Sequence, residues 1–206
     1  MNEQDKNKII KNIEDNITII RNNYHNKDSL KDYEKLSFDS YSEVINNTPE
    51  RIFKSYKEIF SGYNISSSEV LEKQFEKPNE SQESFIAMHN IEFYSMCEHH
   101  MLPFFGTVSI GYIANEKIVG LSKLPRVVDV FAKRLQLQER LTSQIGMSIE
   151  DNLKPKGVIV SITAQHFCVM MRGVSKANST TTTMYCSGDL KDSQNIYYQQ
   201  FLKDLR

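Results

Sequence analysis

Residues 85–121 read FIAMHNIEFYSMCEHHMLPFFGTVSIGYIANEKIVGL, and the spacing of β-branched and aromatic residues here decides the fold class. Phe85–Met96 and Phe105–Ile113 read as two strands, and Asn115-Glu116 turns the chain into a third, Lys117–Leu121. Downstream, Ser122 is placed to cap a helix from about Pro125 to Arg134 with Val127, Val128, Val130 and Phe131 as its apolar positions. A second helix, Glu139–Leu153, stops before the Lys154-Pro155-Lys156-Gly157 turn. Val158–Met171 alternates like one long strand, Thr180–Tyr185 like another, and an amphipathic helix from about Ser193 to Leu205 closes the chain. Upstream, Ile10, Ile13, Ile17, Ile20 and Tyr24 form the stripe of an amphipathic helix, followed by a connector over Asn26–Asp39. Thr48-Pro49 reads as a helix start, with Ile52, Tyr56, Ile59 and Phe60 as its buried stripe and Gly62 at its exit. Residues 64–82 are polar and hold at most a short helix. Strands in hairpins with helices in blocks make an α+β chain.

Composition narrows the classes of function. The 206 residues carry 25 Lys+Arg against 26 Asp+Glu, a net charge of −1, so no global field attracts nucleic acid or an anionic membrane, and an anionic ligand must be held by a local cluster. Hydrophobic residues make up 39%, enough for one core with a polar appendage. No apolar run approaches the ~20 residues of a membrane span, and the opening MNEQDKNKII lacks a signal-peptide layout, so a cytoplasmic chain is expected. Three cysteines, two of them near histidines, favour metal or catalytic use over disulfides in a reducing compartment.

The densest chemical cluster is Cys97-Glu98-His99-His100, where a thiol and an imidazole three residues apart at a strand end can clamp one ion. His166-Phe167-Cys168 is the second piece, and on a strand its two heteroatoms would share a face. If the two meet, Cys97, His100 and Cys168 supply three ligands to a borderline-soft ion such as Zn²⁺, while His99 and His166 stay free to transfer protons near neutral pH. Three ligands leave a fourth position open, the arrangement of a catalytic rather than a structural zinc. The plainer alternative is a small core cysteine and satisfied histidines, and that reading suits Cys186, His25 and His89. Cations pair up as Arg51 with Lys54, Lys123 with Arg126, and Arg172 with Lys176, and the first two pairs sit on a helix face and at a helix N-terminus. Together they suit a polyphosphate, although any one pair alone reads as a solvated face.

These blocks resemble one family. FYSMCEHHMLPFFG (93–106), VGLSKLPRVVDVFAKRLQLQERLT (119–142), QHFCVMMRGV (165–174) with the Ser/Thr run after it, and NNTPERIFKSYKEIFSGY (46–63) are similar, in order and spacing, to GTP cyclohydrolase I. The resemblance runs from about Tyr41 to the C-terminus, with Pro125 departing from the usual pattern between LSK and Arg126. It implies a tunnelling-type α+β fold, residues 41–206 being the catalytic domain and 1–40 an N-terminal helical extension. It further implies two pentameric rings stacked into a decamer, with sites between subunits. By motif, Cys97, His100 and Cys168 become zinc ligands and His99 and His166 catalytic imidazoles; Glu139, with Gln138 beside it, reads the guanine. Ser122, Lys123, Arg126 and Arg172, with Arg51 and Lys54 from a neighbouring subunit, hold the triphosphate. The implied reaction is hydrolysis of GTP at purine C8, with release of formate and formation of 7,8-dihydroneopterin triphosphate. The rival readings are another pterin or purine enzyme of the same superfamily and a non-catalytic zinc-stapled module.

Overall fold

A computed structural model describes residues 3–24, 38–78 and 83–205. The chain divides into two compact units, Met1–Glu58 and Ile59–Arg206.

The first unit is built on α1 (Glu3–Tyr24) and α2 (Phe38–Ile59). On α1 the expected stripe is half-buried at Ile10, Ile13 and Ile17, but Ile20 is exposed. Helix α2 starts ten residues before the expected Thr48-Pro49 entry and carries Pro49 inside it. The proline forgoes one backbone hydrogen bond, and the half-buried Val44, Ile45 and Thr48, which extend the apolar face towards the N-terminus, offset that loss. Phe53, absent from the expected stripe, is buried, with the ammonium groups of Lys6 and Lys57 at 5.9 and 5.0 Å from its ring centre. His25 and most of the expected connector lie outside the described residues; Phe38 and Asp39 are helical.

The second unit holds a five-stranded sheet, in spatial order β5 (Leu135–Gln136), β2 (Ser84–Cys97), β3 (Pro103–Ala114), β6 (Gly157–His166) and β7 (Thr181–Gly188). All neighbours are antiparallel except β2 and β5, which pair in parallel over two residues. A bulge between Met88 and Ile91 places Asn90 at φ 57°, a left-handed conformation that asparagine tolerates. The polar region after residue 64 yields α3 (Ser67–Leu71), as expected, but also an unexpected strand, β1 (Gln74–Glu76), which pairs with β4 (Lys117–Val119). Three residues are too few for alternation to register, and the strand is held instead by Gln74, whose amide donates to the carbonyls of Leu71 and Asn152.

Two helices cover one face of the sheet. Leu124, Val127 and Val128 of α4 (Lys123–Ala132) and Leu141, Ile145 and Ile149 of α5 (Gln138–Leu153) pack against Val108, Ile110, Val160 and Ile162. The alternate strand positions, Ile113 and Ile159, form a second cluster with Leu190 and with Phe201 of the terminal helix α7 (Ile196–Asp204). Gly146 lets α5 approach β7, because a Cβ there would stand 2.1 Å from the ring of Tyr185. The observed class is therefore the expected α+β, with an antiparallel sheet, helices and an N-terminal helix.

Two local expectations need correction. Ser122 starts α4 but makes no capping bond through its hydroxyl; the entry is instead a turn in which Lys123 and Leu124 donate to the carbonyls of Gly120 and Leu121. The long strand does not reach Met171: β6 ends at His166, and Phe167–Met170 form a helical turn, α6. There the Phe167 ring packs 5.7 Å from that of Phe105, so apolar contact continues after the strand geometry stops. Cys168 is therefore carried by this turn towards Cys97 and His100, while His166 stays at the strand end, so the two do not share a strand face as expected.

Candidate metal and catalytic centre

The first candidate ligands come from the tight connection between β2 and β3. Cys97 closes the strand, its N–H donating to Leu102, while its carbonyl accepts from His100 and Met101; Met101 completes the reversal at φ 50°. This folds the His100 imidazole back to Cys97, with Nδ1 3.8 Å from Sγ. The α6 turn delivers Cys168 from the other side of β3, and one donor atom from each of Cys97, His100 and Cys168 lies within 4.8 Å of the other two. Burial pushes the Cys168 thiol up, helped by Cys97 beside it and opposed by Arg172. A cation reverses that preference, since coordinating thiols are deprotonated.

Two thiols and one imidazole, with Cys97 buried and His100 exposed, fit a borderline-soft divalent ion with one side open to solvent. Arg172, on the segment after α6, brings Nη1 to 3.4 Å from His100 Nε2, so a cation reaches the rim of the Cys-His-Cys group. His99 is exposed, its ring nearly perpendicular to that of His100 at 6.2 Å.

His166 ends β6 and is held on two sides. Its ring stacks on Phe104 at 4.7 Å and 2°, and its Nε2 lies 2.7 Å from Gln138 Oε1. Burial holds this imidazole below the usual histidine range, partly countered by the negative charge of Glu139. Gln138 is buried at the start of α5, its amide nitrogen donating to the carbonyls of Ile162 and Thr181 and to the Thr183 hydroxyl. Glu139, next on the helix, is exposed.

The remaining expected residues lie on helices. Ser122 and Lys123 open α4 and Arg126 is exposed on its first turn. Arg51 and Lys54 are exposed on α2 in the first unit, paired to Glu43 at 2.7 Å and Glu50 at 3.9 Å. Cys186 sits against the α7 cluster, where burial raises its thiol.

The sequence reading passed over one pair beside the candidate ligands. Arg140 of α5 grips the Glu98 carboxylate and holds it below the usual carboxylate range. The available signal was slight: Arg140 and Gln144, four residues apart, share a face of α5, while Gln136 belongs to β5.

Comparison with known proteins decides what this arrangement belongs to. The family profile of GTP cyclohydrolase I matches residues 28–205. The chain belongs to the GTP cyclohydrolase I family. It is an enzyme of that family. It is 50% identical over 164 residues to GTP cyclohydrolase 1 of Rickettsia bellii, covering 80% of this chain and 84% of that one. To GTP cyclohydrolase 1 of Campylobacter jejuni subsp. doylei it is 49% identical over 160 residues, covering 77% and 83%. Among solved structures, the apo form of the archaeosine synthase QueF-Like superposes with a TM-score of 0.43 at 17% identity, covering 52% of this chain and 97% of that one. Among the described residues of this GTP cyclohydrolase family member, no helix is long and apolar enough to cross a membrane.

Proposed function

We propose that this chain hydrolyses GTP at C8 of the guanine, releases that carbon as formate and forms 7,8-dihydroneopterin triphosphate, the entry to folate or tetrahydrobiopterin synthesis, in the cytoplasm. The observation that carries the reading is the convergence of Cys97, His100 and Cys168 within 4.8 Å, in a chain of this family. These three residues would hold one Zn²⁺ per subunit, and zinc, when bound, supplies Lewis-acid polarisation of water and of the reacting centre.

The chain's own groups do the rest. His166, fixed by Gln138 and Phe104, and the exposed His99 hold and move protons at the purine ring and at the departing formyl carbon. Glu139, exposed on the otherwise largely buried first turn of α5, accepts the guanine N–H groups. Arg172, Lys123, Arg126 and Ser122, joined by Arg51 and Lys54 of a neighbouring subunit, take the triphosphate, which is a handle and is not cleaved. Its binding fixes the base against the metal, an orientation effect. Local cations are needed because the chain as a whole carries a net charge of only −1.

The assembly that goes with this reading is a decamer of two pentameric rings with sites between subunits, residues 41–206 forming the catalytic domain on a tunnelling-type fold. Turnover on GTP, followed by pterin fluorescence and by formate, tests the proposal. Equimolar formate and pterin, abolished by a chelator and restored by zinc, are expected; GTP left intact by the zinc-loaded protein would overturn it.

A further inference from the structure

We infer that Arg140 is a positioning residue for the metal centre, acting through Glu98, and this rests on the reading of Cys97, His100 and Cys168 as a metal site. Glu98 stands on the turn between the proposed ligand Cys97 and the exposed His99. Its backbone N–H donates to Gln136 at 3.0 Å and its carboxylate is held by Arg140 Nη2. Arg140 is itself fixed: Nε donates to Gln136 Oε1 at 3.0 Å and Nη2 to the Leu135 carbonyl at 3.1 Å. Gln136 is buried and in turn bonded to the Phe131 carbonyl at 2.9 Å and to Gln144 at 2.8 Å.

The guanidinium therefore ties the metal-bearing turn to α5, the helix that also carries Gln138 and Glu139. A planar fork satisfies Glu98, Gln136 and Leu135 together, whereas an ammonium is a point charge that cannot hold that geometry. The group lines an open cavity of about 340 Å³ together with Tyr63, Arg134 and Gln144. Partners of this kind beyond the ligands are commonly worth 10–100-fold in metal affinity or activity.

The test compares the full-length wild type with Arg140→Lys, Arg140→Ala, Glu98→Gln and the Glu98→Gln/Arg140→Ala double variant. Zinc retention against a chelator, kcat and KM for GTP, and the unfolding midpoint are each measured. The expected result is a loss of zinc affinity or kcat of about 10-fold or more in every single variant, Arg140→Lys included, with KM within about 3-fold. The double variant should be no worse than the weaker single, because both remove one link. Zinc affinity and kcat within 2-fold of wild type in Arg140→Lys and Glu98→Gln would overturn the inference, as would additive losses in the double variant. Losses that only track the unfolding midpoint would also overturn it, leaving Arg140 as scaffold. If wild-type protein binds zinc but leaves GTP intact, the functional reading fails while the retention assay still decides the role of Arg140.

Discussion

His166 Nε2 lies 2.7 Å from the side-chain oxygen of Gln138, and that contact fixes which ring nitrogen carries the proton. The Gln138 amide nitrogen already faces the Ile162 and Thr181 carbonyls and the Thr183 hydroxyl, so only its oxygen can face the imidazole. The network thus assigns a protonated Nε2 and leaves Nδ1 to exchange a proton. Gln138→Leu removes the acceptor and frees the ring. We expect kcat to fall by about 10-fold or more, up to the ~10²–10⁴-fold that general acid–base catalysis contributes, with zinc retained. Unchanged kcat in a folded, zinc-loaded Gln138→Leu would show that the ring is oriented by Phe104 stacking alone.

The two cysteine environments differ enough to be separated by mutation. Cys168 lies within reach of Cys97 and His100, whereas Cys186 packs with Ile113, Ile159 and Phe201 on the other face of the sheet. Cys168→Ser should lose zinc and turnover together, since a serine hydroxyl remains protonated where a thiol would ionise against the metal. Cys186→Ser should spare both. Metal analysis beside the GTP assay checks this, and full zinc with full turnover in Cys168→Ser would remove that residue from the site.

Adjacent histidines carry different assignments. His100 faces Cys97 and Arg172, while the His99 ring stands perpendicular to it and exposed. His100→Ala should deplete zinc, and His99→Ala should keep zinc and fold but lose turnover, by about 100-fold or more if it transfers a proton in the slow step. Equal zinc loss in both variants would contradict the separation.

How far the sequence carried can be seen in these same residues. Cys97 and His100 were legible because their convergence is local: three residues and one strand end suffice. The candidate ligand Cys168 was legible by type but not by route, since alternation in Val158–Met171 cannot mark where a strand yields to a helical turn. Arg140 was missed because its partner Glu98 is 42 residues away, and only the parallel pairing of Cys97 with Gln136 brings them together. The proline in α2 misled for the opposite reason: Pro49 looks like a first-turn residue, and the upstream apolar face that overrides it spans a segment the local signal did not weigh.

Alkaline pH should reveal the packing of α5 on β7. Tyr185 is pushed up to about 12 by burial first and then by Glu150, whose carboxylate accepts its hydroxyl and repels the phenolate. A folded-state value above the ordinary 10 means the fold favours the neutral phenol. Its contribution to stability is complete below about pH 10 and is lost as the pH rises through about 12. Denaturant unfolding of wild type and Tyr185→Phe across that window checks it: the advantage of wild type over the variant should shrink with rising pH, and a constant gap would show that Tyr185 titrates alike folded and unfolded.

The proposed sharing of the site between subunits makes the strongest demand on the assembly. Arg51 is exposed on α2 and, among the described residues, pairs with Glu43 at 2.7 Å. His166 is anchored far along the chain by Gln138. If one subunit's Arg51 completes the neighbour's site, Arg51→Ala and His166→Ala homo-oligomers should each be weak, the first through a raised KM as the triphosphate loses a bidentate partner, the second through kcat. Co-assembly of the two variants should then regain activity, because a fraction of interfaces joins an intact Arg51 to an intact His166. Arg51→Lys should restore KM only in part, since charge alone does not reproduce the fork. Mixed oligomers, verified by two affinity tags, that stay as inactive as their parents would place Arg51 and His166 in service of the same chain's site.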